Sequence, residues 1–80
     1  MAAKKIKIYK TPYCTYCKMA VAFFKKHNIA FTEVDVYEDE KAQKEMIEKS
    51  GQMAVPVIEV DNHIIVGFNE LKLKKLLGIK

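Results

Sequence analysis

Residues 11–24 read TPYCTYCKMAVAFF, and this stretch decides how the rest of the sequence is interpreted. It contains both cysteines of the chain, Cys14 and Cys17, with two residues between them. The alternating polar and apolar residues 5–9 predict a β-strand before it, and the helical apolar spacing that follows predicts a helix over residues 15–27. The cysteine pair therefore lies where a strand passes into a helix, with Cys14 at the helix N-terminus and Cys17 one turn inside.

The remaining sequence predicts three further strands and two further helices. Residues 30–36 alternate as a second strand, and residues 55–60 and 63–66 form a hairpin around a tight turn at Asp61-Asn62. An acidic start at residues 38–40 opens a second helix, and Asn69 caps a third. The order βαβ, then α, then ββα predicts an α/β fold in which a four-stranded mixed sheet carries helices on both faces.

Composition narrows the classes of protein that this chain can belong to. The 80 residues are enough for one domain, residues 1–80, and the formal charge is +4. All the positive charge is lysine, so the bidentate arginine contacts that read guanine or phosphate are absent, and nucleic acid is not an expected partner. No apolar run has the length of a signal peptide or membrane span, so we expect a cytoplasmic protein without a membrane partner.

A CxxC pair at a strand-to-helix junction predicts thiol–disulfide chemistry. The free N–H groups at the helix N-terminus favour a thiolate on Cys14, and the thiolate is the nucleophile. Lys10 and Lys18 are interpreted as exposed surface lysines rather than as contributors to this thiolate. Cys17 shares the helix face of Cys14 and would resolve the mixed disulfide. A metal site is the alternative of another class: a zinc site needs two more ligands, for which only His27 and His63 remain, and an iron–sulfur cluster could be shared between subunits.

These residues carry a resemblance to a known family. The pattern IKIYKTPYCTYC…VDV…SGQMAVPVIEVDNHIIVGFNE resembles the glutaredoxins of the thioredoxin-fold superfamily, over residues 5–78. The resemblance implies a thioredoxin-like fold in which Pro56 follows a cis peptide bond and lies against the CxxC. It also implies a glutathione site, in which the backbone of Val55 pairs with the tripeptide as an added strand. The γ-glutamyl end would then be held by Gly67, Asn69 and Glu70.

Several positions depart from the usual glutaredoxin pattern. The active site reads Cys14-Thr15-Tyr16-Cys17 rather than Cys-Pro-Tyr-Cys, and residues 67–70 read Gly-Phe-Asn-Glu instead of two glycines, or Gly-Cys, followed by two aspartates. Thr11 stands where many glutaredoxins carry a lysine, and Gln52 replaces a basic residue. The Gly-Phe pair resembles that of small glutaredoxin-like redoxins, which take electrons from thioredoxin reductase and pass them to ribonucleotide reductase.

The resulting expectation is a monomeric dithiol–disulfide oxidoreductase that reduces protein disulfides. Cys14 is the expected nucleophile and Cys17 the resolving thiol. No metal or organic cofactor is expected to be bound, and the electrons come from thioredoxin reductase and NADPH or, as the alternative, from glutathione. Phe68 has two interpretations, a contact for partner proteins or a core residue beneath the last helix. The expected substrate-binding residues are Tyr13, Tyr16, Val55, Pro56, Gly67, Phe68 and Asn69.

Overall fold

The computed structural model describes residues 5–79, which form one four-stranded sheet and three helices. Among these residues, no helix combines the length and the apolar character needed to cross a membrane. In chain order the elements are β1 (Ile6–Lys10), α1 (Thr15–Lys26), β2 (Thr32–Asp35), α2 (Glu40–Ser50), β3 (Val57–Val60), β4 (His63–Val66) and α3 (Glu70–Leu77).

The sheet has the order β2-β1-β3-β4. β1 and β2 run parallel, as a strand–helix–strand unit requires, and β3 is antiparallel to both β1 and β4. The predicted element order and the mixed sheet are therefore confirmed.

Helices cover both faces of this sheet, because apolar side chains alternate along its strands. Ile8 and Ile58 point to the face under α1 and α3, where they pack with Phe24 and Leu73. Neighbouring positions in β1 and β3 point to the opposite face, where Tyr9 and Val57 pack with Ala42 and Met46 of α2. Each helix thus buries one apolar stripe against one side of the sheet.

The element ends differ from the prediction by one or two residues, for identifiable reasons. β3 begins at Val57 rather than at residue 55, because Pro56 lacks the N–H that the ladder needs. β2 is limited to Thr32–Asp35 by its register with β1, in which Lys7 pairs with Thr32. α1 ends one residue early, with His27 as its C-cap.

Asn28 lies one position beyond the C-cap of α1. It adopts the left-handed conformation with φ of 56°, which asparagine tolerates better than most residues. The N–H groups of Asn28 and Ile29 donate to the carbonyls of Lys25 and Phe24, which closes the end of the helix.

A polar network on the α2 face was missed in the sequence. Tyr9 is fully buried, and its hydroxyl donates a hydrogen bond to Glu45. Lys49 Nζ lies 3.2 Å from the Tyr9 hydroxyl and 3.1 Å from Glu59 Oε1, and Lys7 Nζ lies 3.3 Å from Glu45 Oε1. The buried hydroxyl is therefore satisfied, and charged side chains tie α2 to β1 and β3.

Candidate active site

The strand register brings the predicted site residues to one edge of the sheet. Tyr9 pairs with Val57, and Val57 pairs in turn with Val66. The loop that follows β1, the residues that precede β3 and the residues that follow β4 therefore meet at the same edge. The CxxC lies in the first of these segments, Pro56 in the second and Gly67 in the third.

Cys14 is the N-cap of α1 and remains partly exposed. Its backbone is extended, with φ of −99° and ψ of 114°, and its carbonyl accepts the N–H of Lys18 at 3.2 Å. Its Sγ accepts the N–H of Cys17 at 3.2 Å. An N–H aimed at the sulfur stabilises the anionic form, which is the form that attacks disulfides.

Cys17 occupies the opposite environment, since it is only 1% exposed. Burial raises the pKa of its thiol to about 12, with a further contribution from the hydrogen bond with Cys14. A backbone hydrogen bond with Thr11 and the positive charge of Lys10 act in the other direction on this pKa. Cys17 is thus a protonated thiol in the reduced protein, out of reach of an external disulfide.

The segment at the start of β3 has the backbone that the resemblance implies. The Val55-Pro56 peptide bond is cis, and Pro56 is fully buried. The Gly67 N–H donates to the Pro56 carbonyl at 2.7 Å, which extends the pairing of β3 and β4 by one bond. Gly67 has φ of 86°, a conformation that side chains rarely adopt, so this turn requires glycine.

Two exposed tyrosines flank Cys14. Tyr13 is 79% exposed and Tyr16 is 61% exposed. The Tyr13 ring meets the Tyr37 ring edge to face, with the centroids 5.7 Å apart. Sequence reasoning missed Tyr37, although it follows β2, whose carboxyl end lies beside that of β1 in a parallel pair.

Comparison with known proteins identifies the family. The family model described as Glutaredoxin matches residues 6–65. The chain belongs to the glutaredoxin family. A glutaredoxin-like 8.6 kDa protein in the rubredoxin operon of Clostridium pasteurianum is 47% identical over 72 residues, which cover 90% of this chain and 96% of that protein.

A second relative and a solved structure agree with this family. The glutaredoxin-like protein NrdH of Lactococcus lactis subsp. cremoris is 34% identical, across 89% of this chain and 97% of that protein. The crystal structure of a mutant of the thioredoxin-like protein BC3987 superposes with a TM-score of 0.90 at 32% identity, and covers 95% of this chain and 97% of that one. The expected fold and enzyme class are thereby confirmed: the protein is a glutaredoxin-like dithiol–disulfide oxidoreductase.

The glutaredoxin positions after β4 are already engaged within the chain. Phe68 is partly buried, and its ring lies 5.9 Å from that of Phe23, so it packs against the core beneath α3. Asn69 caps α3, as predicted, and its Oδ1 accepts the N–H of Lys72 at 3.1 Å. Glu70 Oε2 lies 3.7 Å from Lys74 Nζ.

Metal-binding side chains are dispersed in this glutaredoxin-like chain. Within residues 5–79, histidine, cysteine, aspartate and glutamate form no group of three or more that could hold a metal ion. His27 lies at the end of α1, where its ring packs 4.6 Å from the Phe23 ring, and His63 begins β4. The two histidines that a zinc site would need are thus at positions remote in the fold from the N-terminus of α1.

Proposed function

We propose that this protein reduces protein disulfides and is itself reduced by thioredoxin reductase. In the first step the Cys14 thiolate attacks one sulfur of the target disulfide, forms a mixed disulfide and expels the other target sulfur as a thiolate. In the second step Cys17 loses its proton and attacks Cys14 Sγ, which releases the second target thiolate. Two electrons pass to the target, and Cys14 and Cys17 become a disulfide that the reductase reduces with NADPH.

The contrast between the two cysteines supports these roles. Cys14 is partly exposed and accepts an N–H, whereas Cys17 is 1% exposed and held protonated by burial. Cys14 is therefore the cysteine that can react with a disulfide of another protein. The buried Cys17 can react only with a sulfur held within this protein, which is that of Cys14.

Exposed apolar side chains at the CxxC end of the fold support the proposal that the partners are proteins. Every large apolar side chain that is exposed in the described chain lies in a segment that reaches this end of the fold: beside the CxxC, after β2, before the cis proline, at the last residue of β4 or in the first turn of α3. A soluble domain that gathers its exposed apolar surface in one place presents a docking site. This apolar rim comprises Tyr13, Tyr16, Met19, Tyr37, Met53, Val66 and Leu71.

The glutathione alternative is supported by Val55, which lies outside the ladder beside the cis peptide and leaves its backbone for an added strand. Three observations favour the reductase instead. The Gly67 N–H donates to the Pro56 carbonyl, and the Asn69 side chain caps the N-terminus of α3. The Phe68 side chain packs against the core. These positions would otherwise receive the charged γ-glutamyl end of the tripeptide.

The apolar rim and the groove beside Cys14 also suggest which substrates the protein takes. Disulfide-containing proteins are the proposed substrates, and the Gly-Phe pair makes ribonucleotide reductase the first to test. Pro56, with Val55, shapes the proposed groove beside Cys14, and Tyr16 and Gly67 line it, whereas Phe68, an expected groove residue, packs against the core. We further propose that the protein acts as a cytoplasmic, single-domain monomer.

Parallel turnover of insulin disulfides in two reducing systems tests this proposal. One system supplies NADPH and thioredoxin reductase, and the other supplies NADPH, glutathione and glutathione reductase. We expect turnover with thioredoxin reductase, little with glutathione, and none in either system for Cys14→Ser. Turnover with glutathione alone would make the protein an ordinary glutaredoxin, and no turnover in either system would contradict the proposed reaction.

A further inference from the structure

Lys10 occupies an unusual place for a lysine, because it points toward the apolar side of the sheet. Side chains alternate along a strand, so Lys10 shares the α1 side of β1 with the buried residues Ile6 and Ile8. Only 24% of the Lys10 side chain is exposed. Its carbonyl accepts the Val36 N–H at 2.9 Å, which fixes its backbone between β1 and the turn after β2.

Glu33 is the charged partner of Lys10 on this side. In β2 it pairs with Ile8, so it faces the same side of the sheet, and its Oε1 lies 3.7 Å from Lys10 Nζ. The ion pair is loose, longer than a hydrogen bond, and it holds the ammonium group beside the parallel β1–β2 pair.

Cys17 faces this pair from the helix. It is on the buried stripe of α1, one turn from the helix N-terminus, and only residues 11–14 separate α1 from Lys10 at the end of β1. The backbone of Thr11 and the positive charge of Lys10 both act to lower the pKa of Cys17, against the larger effect of burial.

The second step of the proposed reaction needs such a charge. Cys17 must give up a proton inside an apolar environment before it can attack Cys14, and burial opposes the thiolate. We propose that Lys10 is a positioning residue for this step: its ammonium group, partly offset by Glu33, stabilises the negative charge that develops on Cys17. This inference rests on the proposed roles of Cys14 and Cys17.

The other charged groups near Cys17 are either engaged elsewhere or exposed. Asp35 pairs with Lys10 in the strand register, but its Oδ1 accepts the N–H groups of Tyr37 and Glu38. On α1 itself Lys18 is exposed, and on α3, which packs on the same face, Glu70 pairs with Lys74. Lys10 is therefore the cation that we expect to control the second step.

The expected size of the effect follows from two opposing consequences of removing a charge. Loss of a nearby opposite charge raises a thiol pKa by about 1 to 3 units, which lowers the thiolate fraction about tenfold per unit. A thiolate with a higher pKa is also a stronger nucleophile, which increases the rate of attack about threefold for each pKa unit. At a pH below the pKa of Cys17, the attack is therefore slowed by about threefold in total for each unit by which this pKa rises.

Stopped-flow reaction with dithiobis(nitrobenzoate) separates the two steps. Cys14 attacks the reagent and releases one coloured thiolate, in a phase whose rate grows with reagent concentration. Cys17 then attacks the Cys14 mixed disulfide, releases the second coloured thiolate and leaves its proton in the buffer, in a phase independent of that concentration. The first phase reports the proposed function, and the second reports this inference.

We expect Lys10→Met to slow the second phase about threefold or more at neutral pH, to move its pH midpoint upward and to leave the first phase within about twofold. Lys10→Arg should restore the second phase, because it keeps the charge. Lys7→Met is the matched control: it removes the same charge from the other side of β1 and should leave both phases within about twofold.

Glu33→Gln provides a second variant with the opposite sign. It retains Lys10 and removes the opposing carboxylate, so we expect a faster second phase. An unchanged second phase in Lys10→Met, a Lys10→Arg as slow as Lys10→Met, or a slower second phase in Glu33→Gln would each overturn the inference while the proposed function stands. If the wild type lacked the first phase, or if Cys14→Ser retained it, both the proposed function and this inference would be overturned.

Discussion

At the scale of single residues, the chemistry depends on giving two identical side chains different surroundings. Cys14 stands at the N-cap of α1 with an N–H at its sulfur, and Cys17 stands one turn further on, against the sheet. A shift of three positions along the helix is enough, since the first residue projects into solvent and the second into the core. This difference supports the proposed roles, in which Cys14 attacks the target and Cys17 resolves the mixed disulfide.

Selective alkylation follows from this difference. When the fully reduced protein is treated briefly with iodoacetamide at about pH 7.5, we expect one modification, on Cys14, because Cys17 is inaccessible and burial raises its pKa to about 12. Peptide mapping by mass spectrometry checks the position. Both cysteines should react in urea, and equal modification of both in the native protein would contradict the assigned environments.

The sequence predicted the cysteine pair and its place in the fold, but it did not predict several of the groups that surround the pair. Local spacing is enough to place Cys14 and Cys17, because strand, loop and helix are consecutive in the chain. Tyr37, Met53 and Leu71 join the apolar rim only through the strand order, which sets distant segments at one edge. The Lys10–Glu33 pair likewise depends on the parallel register of β1 and β2.

At the scale of elements, α2 is attached to the sheet by charge as well as by apolar packing. Ala42 and Met46 supply the apolar contact, and Glu45 supplies the polar one. The hydrogen bond from Tyr9 and those from Lys49 and Lys7 lower the pKa of Glu45 to about 2. The carboxylate is therefore stabilised in the folded state relative to the unfolded chain.

Acid stability should report this attachment. Because folding lowers the pKa of Glu45, its contribution is present above the unfolded pKa of about 4.3 and is lost as the pH falls toward 2. We expect Glu45→Gln to reduce the free energy of unfolding at pH 7 and to flatten its decline between about pH 5 and pH 2. Urea unfolding at several pH values measures both.

Glu48→Gln is the control for Glu45→Gln, since Glu48 is exposed on the same helix. If the two variants had the same pH dependence, Glu45 would not be the group that ties α2 to the sheet.

At the scale of the whole molecule, surface chemistry is unevenly distributed. The apolar rim surrounds the CxxC end of the sheet, and lysines and acidic residues cover much of the rest. The rim combines side chains from beside the CxxC, from the turn after β2, from the segment before β3 and from the end of β4 and the start of α3, so it is a property of the fold. A partner protein that offers a disulfide would bury these side chains as it approaches Cys14.

Replacing one rim residue by a charge tests this surface without touching the cysteines. Leu71 is 74% exposed in the first turn of α3, where a glutamate suits the helix dipole. We expect Leu71→Glu to lower kcat/KM for insulin about fivefold, on the order of 1 kcal/mol of lost contact, and to leave the reaction with dithiobis(nitrobenzoate) unchanged.

Ala30→Glu serves as the matched control for Leu71→Glu, because Ala30 is exposed just before β2, at the other end of the sheet. An equal loss in both variants would point to net charge, and an unchanged kcat/KM in Leu71→Glu would remove Leu71 from the docking surface.

The proposed reaction assigns the attack on the target disulfide to Cys14 and the release of the target to Cys17. Trapping the mixed disulfide separates these two roles: Cys17→Ser is mixed with a protein disulfide substrate, quenched with acid and measured by intact mass spectrometry. We expect a one-to-one covalent adduct through Cys14 that persists in Cys17→Ser, decays rapidly in the wild type and never forms in Cys14→Ser. An adduct that forms equally well in Cys14→Ser, or no adduct in Cys17→Ser, would contradict the roles assigned to the two cysteines.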